Sequence, residues 1–219
     1  MREQPQDLQS RRVLYRVLQA LYSYPLSREK VEPLLDLTFE SEPIEMAFAS
    51  LRNVLAKVTD WEAFVDRLNV EYTRLFEGPG FLPAPPYASY FLNDKRLMGP
   101  EAVAVRRVYA ESGVASQKLG RAPDDHIALE LAFMAYLSDE IADAFGQGDD
   151  DQCKGLRDVQ NKFLKDHLLP WVPVFCLKVT AATQNEFFIE LSSLTLACLE
   201  SDQECLAGIH DEVSRVAAR

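Results

Sequence analysis

The sequence predicts an all-α protein, a single helical-bundle domain of about nine or ten helices in two halves. Three observations carry this. Apolar residues recur every three or four positions along nearly all of the 219 residues. Glycine, proline and aspartate sit where helices start and stop. No segment sustains a two-residue alternation with turn chemistry, so no strand is expected.

Leu14, Val17, Leu18 and Leu21 place a first helix over residues 8–23, stopped before Pro25. A short helix is expected after Ser27. A third covers 44–58, with Phe48, Leu51, Val54, Leu55 and Val58 on one face. Asp60 is placed to cap a fourth, whose face is Trp61, Phe64, Val65, Leu68, Tyr72, Leu75 and Phe76, ended by Gly78 and Pro79. Pro100 opens a fifth and Gly113 closes it. Residues 114–122 read as a linker between halves at about 1–115 and 122–219. Asp124 is expected to cap a sixth helix over 125–145, apolar around most of its circumference and hence central, with Gly146 and Gly148 as its stop. A seventh spans 150–168, with Leu156, Val159, Phe163 and Leu164 inward, and "LPWVP" breaks it. Helices over 174–183 and 185–200 and a short tail helix complete the expectation.

Hydrophobic residues make up 47% of the chain and charged residues 26%, an ordinary globular balance. No run approaches the roughly 20 apolar residues of a membrane span. Cys153, Cys176, Cys198 and Cys205 form no CxxC pair, and Cys198 and Cys205 lie about 10 Å apart along one helix. Buried free thiols in a reducing cytoplasm are expected. The net charge is −11 and uneven: residues 1–100 hold 12 basic and 14 acidic side chains, residues 101–219 hold 11 and 20. Nucleic acid is therefore a poor partner, and a basic peptide or protein surface is a suitable one. Asp149, Asp150 and Asp151 also suit a helix start. "SRRVLYR" (10–16) has the outline of the twin-arginine export motif S-R-R-x-F-L-K. Arg16 and Gln19 interrupt the apolar run that export requires, so it reads as part of the first helix of a cytoplasmic protein.

Catalytic and metal constellations are sparse. No Glu lies three residues before His126, His167 or His210, and no H-E-x-x-H occurs. His210-Asp211 lacks the downstream aspartate of helical phosphohydrolases. "EGPGF" lacks the Lys-Ser/Thr of a phosphate loop. Asp125-His126, with Ser89 as a nucleophile, is the one constellation that admits a helical hydrolase. Against it, adjacent residues at a helix start face different ways. Neither a metal nor a cofactor is expected.

The informative stretch is "EYTRLFEGPGFLPAPPYASYF" (71–91). Four prolines stiffen it, yet Phe81, Leu82, Tyr87, Tyr90 and Phe91 are too apolar for an ordinary surface loop. Such a loop either fills core or lines a groove. A groove of this kind beside an acidic helix suits an apolar segment preceded by arginines.

"YTRLFEGPGFLPAPPYASYF" (72–91) resembles the signature of the TorD/DmsD-type chaperones of molybdoenzymes: aromatic-x-x-L-F-x-G-P, then A-P-P-aromatic-x-S. "APDDHIALELAFM" (122–134) resembles their E-P-x-D-H motif and its apolar helix, and "DHLLPWVPVF" (166–175) their H-L-x-P-W motif. The resemblance spans about residues 8–202. It implies an all-helical, non-catalytic protein in the cytoplasm. Such a protein binds the twin-arginine signal peptide and the body of a molybdopterin oxidoreductase catalytic subunit of the dimethyl sulfoxide or trimethylamine N-oxide reductase type. It delays export until the cofactor is inserted. Homodimers, including swapped ones, occur in the family. A non-exported client, such as a nitrate reductase, is the alternative. By motif, the implied peptide-binding residues are Tyr72, Leu75, Phe76, Pro86, Tyr87, Ser89, Asp125 and His126. The acidic Asp124 joins them as a further partner for arginine. Leu75 and Phe76 are alternatively core residues that support the groove from behind. Ala122 stands where the family often has Glu, and Tyr87 where relatives of the dimethyl sulfoxide reductase chaperone carry Trp.

Overall fold

A computed structural model describes the backbone of residues 5–114 and 123–217, and the side chains of 8–114 and 123–204. Among the described residues there are ten α-helices and no strand. They are α1 (Pro5–Leu21), α2 (Arg28–Val31), α3 (Glu42–Leu55), α4 (Trp61–Tyr72), α5 (Ala88–Leu92), α6 (Pro100–Glu111), α7 (Ile127–Gln147), α8 (Asp150–Phe163), α9 (Val172–Ala182) and α10 (Glu186–Ala217).

The apolar periodicity accounts for the packing. Helix α7 is buried on most sides through Ile127, Leu131, Phe133, Met134, Leu137 and Ile141, as a helix apolar all round must be. It packs chiefly along α1 and α8, while α10 packs along α3 and α9. The α1–α7 and α3–α10 pairings each join a helix before residue 114 to one after 123, so the two halves share one core. Arg11 and Tyr15 of α1 both hydrogen-bond to Asp202 of α10, tying these helices together inside the protein. The "SRRVLYR" segment is thus ordinary helix: Arg11 pairs with Asp202, and Arg12 and Arg16 pair with Asp139 of α7.

Several boundaries differ from the sequence expectation, each for a local reason. The fourth helix does not run unbroken to Gly78: α4 passes into a π-helical turn over Thr73–Glu77. The seventh likewise passes from α8 into a π-helical turn over Leu164–Leu168. A π turn admits one extra residue, which lets the neighbours Leu75 and Phe76 both turn inward. Asp60 caps α4 through Ala63 N–H, and Asp149 caps α8 through Gln152 N–H. Asp124 does not cap α7; His126 does. Gly146 lies within α7, and Gly148, at φ +73°, ends it in the left-handed conformation. The expected tail helix is not separate, because α10 continues to Ala217.

Cys153, Cys176 and Cys198 are buried free thiols. The side chains of Cys205, His210 and Asp211, and nearly all of the expected linker with Ala122, lie outside the described residues. No described helix is long and apolar enough to cross a membrane.

Candidate functional site

The proline loop is built onto the end of α4. After the π turn the chain reverses at Gly78 and Gly80, and Gly80 sits at φ +103°. A side chain on Gly78 would press its Cβ to 3.0 Å from the Thr73 carbonyl oxygen. The loop then folds back, and Ala84 N–H donates to the Leu75 carbonyl (3.3 Å). Ala84, Pro85 and Pro86 are buried, so the stiff segment packs on the helices, while Phe81 projects to solvent at 82% exposure. Residues 88–92, expected as loop, form the short helix α5.

From Pro86 to Ser89 the loop is sewn to the start of α7. Ile127 N–H donates to the Pro86 carbonyl and Ala88 N–H to the Asp125 carbonyl, each at 3.0 Å. This sets Tyr87 and His126 opposite each other in a single antiparallel bridge. Their rings meet edge to face, centroids 5.0 Å apart. Ser89 N–H donates to Asp125 Oδ2 at 2.6 Å. His126 Nδ1 accepts from Ala128 N–H at 3.1 Å and so caps α7. That bond needs a lone pair on Nδ1, which places the proton of the neutral ring on Nε2.

Two further elements close the site. Arg106 of α6 reaches Asp124 Oδ2 with its Nε at 2.5 Å. One turn on, the Tyr109 hydroxyl donates to the Asp124 carbonyl (3.3 Å). From the other side, Trp171 Nε1–H donates to Glu130 Oε2 at 3.1 Å. The Trp171 ring also lies 5.6 Å from that of Phe91, so it supports α5. The three motif stretches, far apart in sequence, therefore meet at one place: Pro86–Ser89 on Asp125–Ile127, Glu130 on Trp171, and Trp171 on Phe91.

The site is acidic inside. Asp124, Asp125 and Glu130 are all fully buried. Burial, and then the field of Asp125, push the Glu130 carboxyl well above the ordinary range despite the indole bond. Burial, followed by the fields of Glu130, Asp124 and Asp125, raises Tyr109 in the same way. Tyr87 is raised by burial, Glu77 and Asp125.

The structure separates the nine sequence-predicted residues into two kinds. Tyr72, Leu75 and Phe76 are core: Phe76 packs its ring against Tyr22, Tyr72, Phe175 and Phe188. Pro86, Ser89, Asp124 and Asp125 are also buried, as joints between loop, α6 and α7. Tyr87 and His126 are only part-buried and reach the surface together. The reading of Asp125-His126 as base and orienter fails on geometry, since Asp125 binds the α5 backbone and His126 Nδ1 binds the α7 backbone. Arg106, Tyr109, Glu130 and Trp171 went unselected as site residues from the sequence, because nothing in their local spacing marks a contact across helices.

The nitrate reductase delta subunit family profile matches residues 40–177. The chaperone protein TorD of Photobacterium profundum is 30% identical over 168 residues, covering 76% of this chain and 74% of that protein. The chain belongs to the TorD/DmsD family of molybdoenzyme chaperones. TorD of Vibrio atlanticus is 26% identical and covers 91% of this chain and 96% of its own length. A protein of Haemophilus influenzae described as the Tat proofreading chaperone DmsD is 28% identical over 134 residues, 61% of this chain and 59% of its own. Among solved structures, a protein of Archaeoglobus fulgidus described as a redox enzyme maturation protein shares the fold. Its TM-score is 0.52 at 21% identity, over 90% of this chain and 93% of that one. A TorD/DmsD chaperone works by binding rather than by catalysis, and the backbone-facing roles of Asp125 and His126 accord with that.

Proposed function

We propose that this chaperone binds, in the cytoplasm, the twin-arginine signal peptide of a molybdopterin oxidoreductase catalytic subunit and holds the precursor until its cofactor is in place. The carrying observation is the Tyr87–His126 pair. It is a part-exposed aromatic and imidazole surface, bridged through the backbone and seated over the buried Asp124 and Asp125. Further exposed apolar side chains lie on neighbouring elements: Phe81 on the loop, Leu92 at the end of α5, and Val174 and Leu177 on α9, a helix that α5 contacts. An apolar leader stretch suits these side chains, and the buried carboxylates supply the field that attracts its arginines. Tyr72, Leu75, Phe76 and Pro86 support the surface from behind, and Ser89 holds the loop to Asp125.

Calorimetric titration with the leader of a neighbouring molybdoenzyme tests this. Binding that weakens with salt and with replacement of both arginines by alanine supports it; no heat of binding to monomer or dimer contradicts it. The description of the matching family profile favours a second reading, a non-exported nitrate reductase as client. A client N-terminal segment that binds equally well without twin arginines would select it.

A further inference from the structure

Arg106 and Asp124 make an incomplete pair. Asp124 is fully buried, whereas the Arg106 side chain is 44% exposed, so the guanidinium stands between the carboxylate and solvent. A guanidinium and a carboxylate match best through two parallel hydrogen bonds. Here Nε meets Oδ2 alone, and the buried Oδ1 accepts nothing. Two more buried oxygens of this cluster also lack a hydrogen-bond partner: the acceptor Asp125 Oδ1 and the hydroxyl oxygen Ser89 Oγ. The hydroxyl of Ser89 is a third element beside the acids, fully buried and unpartnered. An interior with spare acceptors and too few donors is costly, and a planar group bearing only donors relieves it. Glu130 and Tyr109 are raised chiefly by burial, with a further contribution from Asp125 to both and from Asp124 to Tyr109.

We propose that Arg106 occupies, in the free chaperone, the seat that an arginine of the client peptide takes over, and that Arg106 thereby sets the threshold for client binding. This rests on the leader-binding reading and adds a competitor to it. The exchange replaces one guanidinium by another, so no net charge is buried. Arg106 swings on its own long stem toward solvent, where it is already half exposed. Tyr109 keeps α6 attached through the Asp124 carbonyl meanwhile. Lysine is a poor substitute, because a point charge cannot span the two oxygens of Asp124 as a fork does.

The test titrates Arg106→Gln and Arg106→Ala, beside the unaltered chain, with a synthetic peptide bearing S-R-R-x-F-L-K and an apolar stretch, and with its double-lysine counterpart. Affinity for the arginine peptide is expected to rise roughly fivefold or more in both variants. Affinity for the lysine peptide should change less, and Asp124→Asn should abolish the preference for arginine. Helical circular dichroism accompanies each titration. If both variants unfold, Arg106→Lys serves in their place, and it should bind the arginine peptide more tightly than the unaltered chain. Unchanged or weaker affinity in a folded Arg106 variant overturns the exchange and leaves leader binding standing. Absence of binding in the unaltered chain and in every variant overturns both.

Discussion

Trp171 donates its indole N–H to Glu130 across 3.1 Å, and both side chains are fully buried. The bond joins the segment after the second π turn to the central helix α7. Through the Trp171–Phe91 contact it also reaches the loop motif. Burial raises the Glu130 carboxyl and so favours its neutral form, which lowers the cost of placing it in the interior.

Glu130 gives a pH prediction. Its folded-state value lies above the ordinary 4.5, so above that pH the folded state holds a proton that the unfolded state releases. The contribution of this group is therefore complete below about 4.5 and declines as pH rises from there through the folded-state value. Glu130→Gln keeps an acceptor for Trp171 and removes the titration. Its stability relative to the unaltered chain should increase with pH above 4.5, read as the difference in urea midpoints across pH 4 to 9. Glu130→Ala, which strands the indole, should be less stable at every pH.

His126 combines two roles that substitution can divide. His126→Ala removes the α7 cap and should cost about 1 kcal/mol in denaturant unfolding. His126→Asn restores a good capping acceptor and should recover most of that loss. It cannot restore the ring contact to Tyr87, so its affinity for leader peptide should remain reduced. Equal affinity in the asparagine variant and the unaltered chain would remove His126 from the binding surface.

Tyr87 and Phe76 should respond in opposite ways. Phe76 is enclosed by four aromatic rings, and Phe76→Ala should cost about 3–5 kcal/mol, with any loss of binding following from instability. Tyr87 is part-exposed, and Tyr87→Ala should lower leader affinity while helical circular dichroism is kept. Loss of helical signal in that variant would place Tyr87 with the core.

Asp202 anchors α10 to α1 by accepting from both Arg11 and Tyr15. Asp202→Ala removes the buried acceptor shared by Arg11 and Tyr15 and should destabilise the protein in chemical unfolding by about 1–3 kcal/mol. Tyr15→Phe, which removes one of the two donors to Asp202 and keeps the ring, should cost less than Asp202→Ala.

Helix periodicity alone made most of the architecture readable. The apolar circumference of residues 127–141 marked α7 as central, and Asp60 announced the start of α4. What stayed hidden was tertiary. A π turn depends on how Leu75 and Phe76 pack, which local spacing does not express. Asp124 and His126 are both competent caps, but α7 opens at Ile127, so His126 stands at the N-cap while Asp124 turns to Arg106 of α6. The motif resemblance named the site residues, but only the fold shows that seven of the nine are buried while Tyr87 and His126 reach the surface. Arg106 carries no motif at all, and its partner became visible only once α6 was placed against residues 123–126.

The most direct measurement is calorimetric titration of the unaltered chain with a twin-arginine leader peptide of a molybdopterin oxidoreductase, beside the same peptide with both arginines changed to alanine. The account predicts binding of the native leader, weakened by salt and strongly reduced by the double alanine change. Equal affinity for the two peptides, or none for either, would contradict it.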